Sequence, residues 1–295
     1  MTEQRLGILG GMGRPTRLAP CGDPDDLICP GQMNCPGIKV LAFGQNACDA
    51  ALAASGPMTL FRHTRPSCYA AAWGPQATQD FYQRILDRTD ASCDQEHLPT
   101  LIWSDTSMPD RTAAILGGDA EGCYRRLLDG ARLLERGGCT ALAIPCNTSH
   151  YFADRLQGDI AIPLIHMPRE TVGVLAADGK KRAGILATDG TVQTGIYQRE
   201  CAARGMEGVT PPADVQKLVM SIIYDEIKRG EKGSREKFAA IDRWLRASGC
   251  DAAILGCTEL SVYRTYHGLP DYYLDAMEIL AERCITACGY RLRMV

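Results

Sequence analysis

The chain has 295 residues, 45% hydrophobic and 23% charged, with 32 Lys+Arg against 35 Asp+Glu and a formal net charge of -3. That balance excludes collagen, extended disorder and a simple coiled coil. It also lacks the basic excess needed to hold a phosphate backbone, so nucleic acid is not an expected partner. No apolar run approaches the roughly 18 residues that span a bilayer, and the start carries no secretory pattern, so a cytoplasmic protein with no membrane partner is expected, its 14 cysteines mostly free thiols.

In chain order, short apolar runs alternate with helical patterns, which predicts an α/β protein with mostly parallel sheets. The first candidate strand is 6–9. The next stretch, 14–73, is rich in Pro, Gly, Ala and Cys and shows no clean period until a helical pattern at 47–54, so it is expected to be an irregular insert. Its cysteines Cys21, Cys29, Cys35, Cys48 and Cys68 form no Cys-x-x-Cys pair, and no metal site is expected. Further strands are predicted at 100–103, 141–144, 164–166, 182–186 and 252–255. Between them, 122–136 and 235–247 place apolar residues three and four apart with charges opposite, the pattern of amphipathic helices.

An internal repeat organises this series. Arg-Gly-Gly-Cys-Thr-Ala-Leu-Ala-Ile-Pro-Cys-Asn-Thr at 136–148 and Ala-Ser-Gly-Cys-Asp-Ala-Ala-Ile-Leu-Gly-Cys-Thr-Glu at 247–259 share one plan: a helix ends at Gly, Cys follows, then an apolar strand, then a second Cys. Cys139 and Cys250 are 111 positions apart, as are Cys146 and Cys257. The starts Leu-Gly-Ile-Leu-Gly (6–10) and Ala-Gly-Ile-Leu-Ala (183–187) extend the match. Two similar doubly wound domains related by a pseudo-twofold are therefore expected, 1–167 with the 14–73 insert and 168–275, the terminal 276–295 returning to the first. Ligands of open α/β sheets bind beyond the carboxyl ends of the strands, which puts the expected site between the two domains.

Cys146 and Cys257 each close an apolar strand and precede residues able to cap a helix, Asn147-Thr148-Ser149 and Thr258-Glu259. Backbone N–H groups at a helix start lower a thiol pKa from its usual value near 8.5. Cys139 and Cys250 lie ahead of their strands and are expected to be buried apolar residues. Two thiols on opposite sides of a small ligand suit an inversion at carbon, in which one removes a proton while the other delivers a proton to the opposite face. A redox disulfide is the other use of such a pair, but dithiol oxidoreductases place it in Cys-x-x-Cys, so the long separation here disfavours it.

Several stretches together resemble the cofactor-independent aspartate/glutamate racemase superfamily, and its aspartate racemase branch in particular. They are Leu-Gly-Ile-Leu-Gly-Gly-Met (6–12), Gly-Pro-Gln-Ala-Thr-Gln-Asp-Phe-Tyr (74–82), Ser-Asp-Thr-Ser-Met-Pro-Asp-Arg-Thr (104–112), Pro-Cys-Asn-Thr-Ser-His (145–150), Leu-Ala-Thr-Asp-Gly-Thr (186–191) and Leu-Gly-Cys-Thr-Glu-Leu (255–260). The resemblance implies two similar α/β domains with the active site between them, no cofactor, and a small amino acid as the partner. A homodimer is compatible with it. Cys146 and Cys257 become the two acid/base catalysts, with Asn147, Thr148 and Thr258 holding the amino acid end of the substrate. Arg111 resembles the guanidinium that grips a carboxylate, a contact for which its planar fork is apt. Lys228 resembles a second carboxylate-binding position, although a basic residue at a helix end also complements the dipole. Met12 in the glycine-rich turn and Thr191 in Thr-Asp-Gly-Thr complete the implied binding set.

Glu259 reads as a carboxylate for the substrate ammonium, as a partner adjusting Cys257, or as a first-turn acid. Glutamate racemases proper usually carry His after Cys-Thr, so Glu259 leans toward the aspartate branch. His150 stands beside Cys146 and is expected to pack rather than to react. Members of the family run directly from the glycine-rich turn into Pro-x-Ala-Thr, whereas here 14–73 intervenes. At that position it is compatible with a lid, a tolerated loop or an obstruction, since long loops cost little closure entropy. Two other functions stay open: another carbon-acid enzyme of the maleate isomerase, hydantoin racemase or arylmalonate decarboxylase type, and a catalytically silent amino acid binding protein disabled by the insert.

Overall fold

The computed structural model describes the backbone of residues 4–7 and 65–71 and the chain from 75 to 294. Strands β1 (Gln4–Gly7), β2 (Arg65–Ala71) and β3 (Thr100–Ser104) form a parallel sheet in the order β1-β2-β3, with helix α1 (Pro75–Arg88) crossing from β2 to β3. Helices α2 (Arg111–Gly117) and α3 (Ala120–Arg136) follow. A short parallel pair, β4 (Leu142–Ala143) and β5 (Leu164–Ile165), flanks a 3-10 turn at Thr148–Phe152 and helix α4 (Ala153–Asp159).

Helix α5 (Met167–Ala177) leads into the second part of the chain. There β6 (Arg182–Ala187), α6 (Asp189–Gln193), α7 (Ile196–Ala202), β7 (Glu207–Val209), α8 (Ala213–Ser221), α9 (Arg235–Ala247), β8 (Ala252–Gly256), α10 (Thr258–His267), β9 (Tyr273–Asp275) and α11 (Ala276–Ala287) occur in that order. Its four strands run β7-β6-β8-β9, every neighbouring pair parallel. The mixed α/β class with parallel sheets is as expected, and the predicted helix 235–247 is observed as Arg235–Ala247. Among the described residues, no helix is long and apolar enough to cross a membrane.

One expectation is corrected. An irregular course is expected for the whole of 14–73, yet its last residues form β2, which pairs on one side with β1 and on the other with β3. Ser, Cys and Ala carry weak strand preference, so the segment has little local signal and takes its extended form from pairing on both edges. The predicted strand 6–9 begins earlier, at Gln4, and residues 8–9 lie outside the described residues. The helical pattern at 47–54 lies outside the described residues.

The second sheet is buried on both faces, which is why β6 and β8 read as near-continuous apolar runs. Gly184 in β6 could carry no side chain, because a Cβ there would stand 2.1 Å from Leu245 Cδ2 of α9. Helix α9 starts at Ser234, whose hydroxyl accepts from Lys237 N, and buries Phe238, Ile241 and Leu245 along one stripe. One core is common to both sheets: Phe81 and Ile85 of α1 and Ile102 of β3 join Leu175, Ile185, Ile254, Leu280 and Ile285 in a single cluster.

A buried ion network fastens the same junction. Arg84 of α1 reaches Asp275 at 2.9 Å, Glu278 at 2.8 Å and Asp80 at 3.2 Å. Asp275 is 1% exposed and also accepts from Ser261 Oγ (2.6 Å) and from Met277 N (3.0 Å), so it caps α11 as well. Burial alone would lower the Arg84 pKa; Asp275, Asp80 and Glu278 together raise it. Arg84→Met should cost about 3 kcal/mol in urea unfolding, the cost of orphaning a buried charge. A loss below about 1 kcal/mol, as for an exposed pair, would show that Asp275 does not depend on this partner.

Candidate active site

Parallel strands deliver the segments that follow them to one edge. After β3 come Asp110 and Arg111, after β4 Cys146, after β6 Thr188 to Thr191, and after β8 Cys257. Cys146 and Cys257 are each 8% exposed. Cys146 closes a tight turn in which its N–H donates to Ile144 O (2.8 Å), and the 3-10 turn follows. Cys257 is the extended residue that begins α10, its carbonyl accepting from Leu260 N (3.0 Å) and Ser261 N (3.3 Å). A side chain at Gly256 before it would be crowded, since a Cβ would lie 3.0 Å from the Tyr197 ring and 3.1 Å from Ala187 Cβ.

The thiols have different electrostatic surroundings. Cys257 Sγ donates to Glu259 Oε2 at 2.8 Å, and Thr258 Oγ1 donates to the same oxygen at 3.2 Å. Burial, then the charge and hydrogen bond of Glu259, hold the Cys257 pKa well above the ordinary thiol value, against a smaller opposing effect of Lys228. Arg111 hydrogen-bonds Cys146 and also feels Asp110 and Glu259. Burial would lower its pKa, and Cys146 and these carboxylates raise it, so one guanidinium interacts both with the first thiol and with the partner of the second.

Hydroxyls and an amide join the two parts of the chain beside the sulfurs. Thr148 Oγ1 lies 3.0 Å from Thr188 Oγ1 and 2.9 Å from Thr191 Oγ1, all three buried. Tyr197 OH donates to Asn147 Oδ1. That leaves Asn147 Nδ2, on a residue 3% exposed, with no hydrogen-bond partner among the described residues. A buried unmet donor is costly unless a ligand atom satisfies it.

A latch stands on the other side of Arg111. Asp110 caps α2 by accepting from Ala113 N (3.0 Å), and its other oxygen accepts from Tyr224 OH (2.9 Å) and Lys228 Nζ (3.4 Å). Lys228 Nζ lies 3.6 Å from the centre of the Tyr224 ring. Helix α8 widens into a π-helical turn at Ile222–Glu226 and tightens into a 3-10 turn at Ile227–Arg229, which aims Tyr224 and Lys228 at Asp110. Burial would lower the Lys228 pKa, but Glu259, Tyr224, Cys257 and Asp110 raise it. Among the described residues no group of three His, Cys, Asp or Glu side chains could hold a metal ion.

Residues 73–284 match the family model Asp/Glu/Hydantoin racemase. The chain belongs to this family. Racemases are enzymes of the isomerase class. The chain is 28% identical to the Picrophilus torridus aspartate racemase, with a TM-score of 0.67 over 78% of this chain and 96% of that one. An aspartate racemase homologue from Pyrococcus horikoshii shares the fold, with a TM-score of 0.61 at 20% identity over 76% of this chain and 99% of that one. A broad-specificity amino-acid racemase of Bacillus subtilis is 30% identical over 141 residues, which are 46% of this chain and 60% of that protein.

Of the residues singled out in the racemase sequence, Cys146, Arg111, Glu259, Cys257 and Lys228 form one connected electrostatic group, with Thr258 on Glu259. Asn147 joins through Tyr197, and Thr148 and Thr191 bond to each other. Glu259 is held by Cys257 and Thr258. Met12 lies outside the described residues. Cys139 and Cys146 belong to one apolar cluster, and Cys250 and Cys257 to another. Sequence reasoning missed Tyr197, Asp110 and Tyr224. Asp110 directly precedes Arg111, and Tyr224 stands four residues before Lys228, the spacing of one helix face, so both had a local signal. Tyr197 had none.

Because Glu259 raises the Cys257 pKa, Glu259→Gln should lower it while preserving an acceptor. Iodoacetamide should then modify Cys257 faster at pH 8, read peptide by peptide. An unchanged rate would mean that burial alone sets the thiol.

Proposed function

We propose that this racemase inverts the α-carbon of aspartate, and of glutamate as a second substrate, by proton transfer between Cys146 and Cys257 without a cofactor. The observation that carries the reading is the asymmetry of the thiols. Cys257 is hydrogen-bonded as an acid to Glu259, whereas Cys146 stands beside the Arg111 cation. On this reading Cys257, already donating to a carboxylate, is the acid in one direction and Cys146 the base. Likeness to the Picrophilus torridus aspartate racemase supports the substrate class.

Cys146 removes the α-proton, and the electron pair of the C–H bond passes onto the substrate carboxylate. The pair then takes a proton from Cys257 on the opposite face, which leaves Cys146 as thiol and Cys257 as thiolate. Return of the inverted substrate, or exchange with water, restores the starting form. Arg111 and the free Nδ2 of Asn147 hold the α-carboxylate and stabilise the charge that develops on it. Lys228, which pairs with Asp110 at 3.4 Å in the unliganded site, is the cation assigned to the side-chain carboxylate of a dicarboxylic substrate.

Either L- or D-aspartate incubated in heavy water should gain α-deuterium and lose optical rotation. Cys146→Ala and Cys257→Ala should each reduce racemisation by roughly 100- to 10,000-fold, the contribution of general acid–base groups, while Cys139→Ala has little effect. Binding without α-deuteration would replace this reading with that of a silent binding protein. The pH profile of kcat/KM should be bell-shaped, since one thiol must be ionised and the other protonated. Cys257 acts as a thiol below its raised pKa and ceases to above it. The alkaline limb should therefore lie above about pH 8.5, the value for an unperturbed thiol.

A further inference from the structure

His150 is a buried imidazole that the proton transfer does not use. It is 3% exposed, on the 3-10 turn four residues after Cys146. Its Nε2 lies 3.1 Å from Met167 N, the first amide of α5, and its Nδ1 lies 2.9 Å from the carbonyl oxygen of Cys146. These contacts determine the tautomer. An amide N–H can only donate, so Nε2 carries the lone pair; a carbonyl can only accept, so Nδ1 carries the proton. Burial, with His166 edge-on at 5.0 Å, pushes the His150 pKa down to about 3, so the ring stays neutral and supplies no charge to the neighbouring sulfur.

What the ring supplies is position. The Met167 amide is one of the donors a helix leaves unsatisfied at its start, and His150 meets it while gripping the backbone of the base. Among the described residues, the amide side of the Cys146 turn is closed by the bond to Ile144 O. We infer that His150 is a positioning residue for Cys146: its Nδ1–H holds the Cys146 carbonyl, its Nε2 anchors that hold to the start of α5, and together they keep the sulfur against Arg111 and in reach of the α-carbon. The inference rests on Cys146 being the base.

Three variants separate positioning from filling or capping. His150→Leu keeps bulk and loses both contacts. His150→Asn places an amide N–H where Nδ1–H stood but cannot reach Met167. His150→Gln places an amide oxygen near the former Nε2 but gives up the shorter-reach donor to Cys146. The expected result in His150→Leu is a fall in kcat on the order of 100-fold, the effect of about 1 Å of misplacement, with KM little changed. His150→Asn should recover most of the loss and His150→Gln should not. Recovery by Gln alone, or equal kcat in all three variants, would overturn the proposal and leave His150 as a cap of α5.

Peptide-resolved modification by iodoacetamide gives a readout that does not need turnover. Cys146 should be modified several-fold more slowly in His150→Leu at pH 8, because its sulfur leaves the guanidinium, and at near the native rate in His150→Asn. Cys257 should be unaffected in both. If the native protein shows no α-deuteration, the racemase reading fails while the Cys146 rates still decide whether His150 positions that residue. Unchanged or faster modification of Cys146 in His150→Leu would overturn the inference whatever the turnover.

Discussion

The Arg111 guanidinium is the interaction on which the chemistry of this site depends. It sits just inside α2, hydrogen-bonds Cys146 and feels the carboxylate that holds the Cys257 thiol. A half-buried cation between a sulfur and two acids couples groups that the chain supplies from separate strands. The same side chain is also a fork able to bind a carboxylate, so the group that sets the electrostatics of the site is suited to orienting its ligand.

Buried polar atoms at this edge are mostly satisfied by one another. The three threonine hydroxyls form a closed cluster, Tyr197 satisfies Asn147 Oδ1, and Asp110 accepts from Tyr224 and Lys228 as well as capping its own helix. The cluster and these bonds link loops after different strands and resist their separation, because a buried donor or acceptor left alone costs about 1–3 kcal/mol. Against that background Asn147 Nδ2 has no hydrogen-bond partner among the described residues.

Much of this was visible in the residues themselves. Apolar runs on β6 and β8 betrayed strands buried on both faces, the stripe on α9 marked its extent, and two cysteines at equal offsets from two others pointed to matched strand ends. β2 was hidden because its small residues say little locally and its pairing partners lie on distant strands. Tyr197 was invisible for the same kind of reason: nothing near it in sequence reports that its hydroxyl meets Asn147, 50 positions earlier.

The order of residue types along the chain determined the class of fold and the strand ends, and it singled out the two thiols on which the proposed function rests, because burial periodicity and turn chemistry act over a few neighbouring residues. The folded arrangement alone decided which thiol is held as an acid, which stands beside a cation, and which way the His150 ring carries its proton. Those properties depend on where side-chain atoms lie in space, whether their residues are two positions apart, as Cys257 and Glu259 are, or 35, as Arg111 and Cys146 are, and charge and hydrogen bonding respond to distance in space, not to separation along the chain.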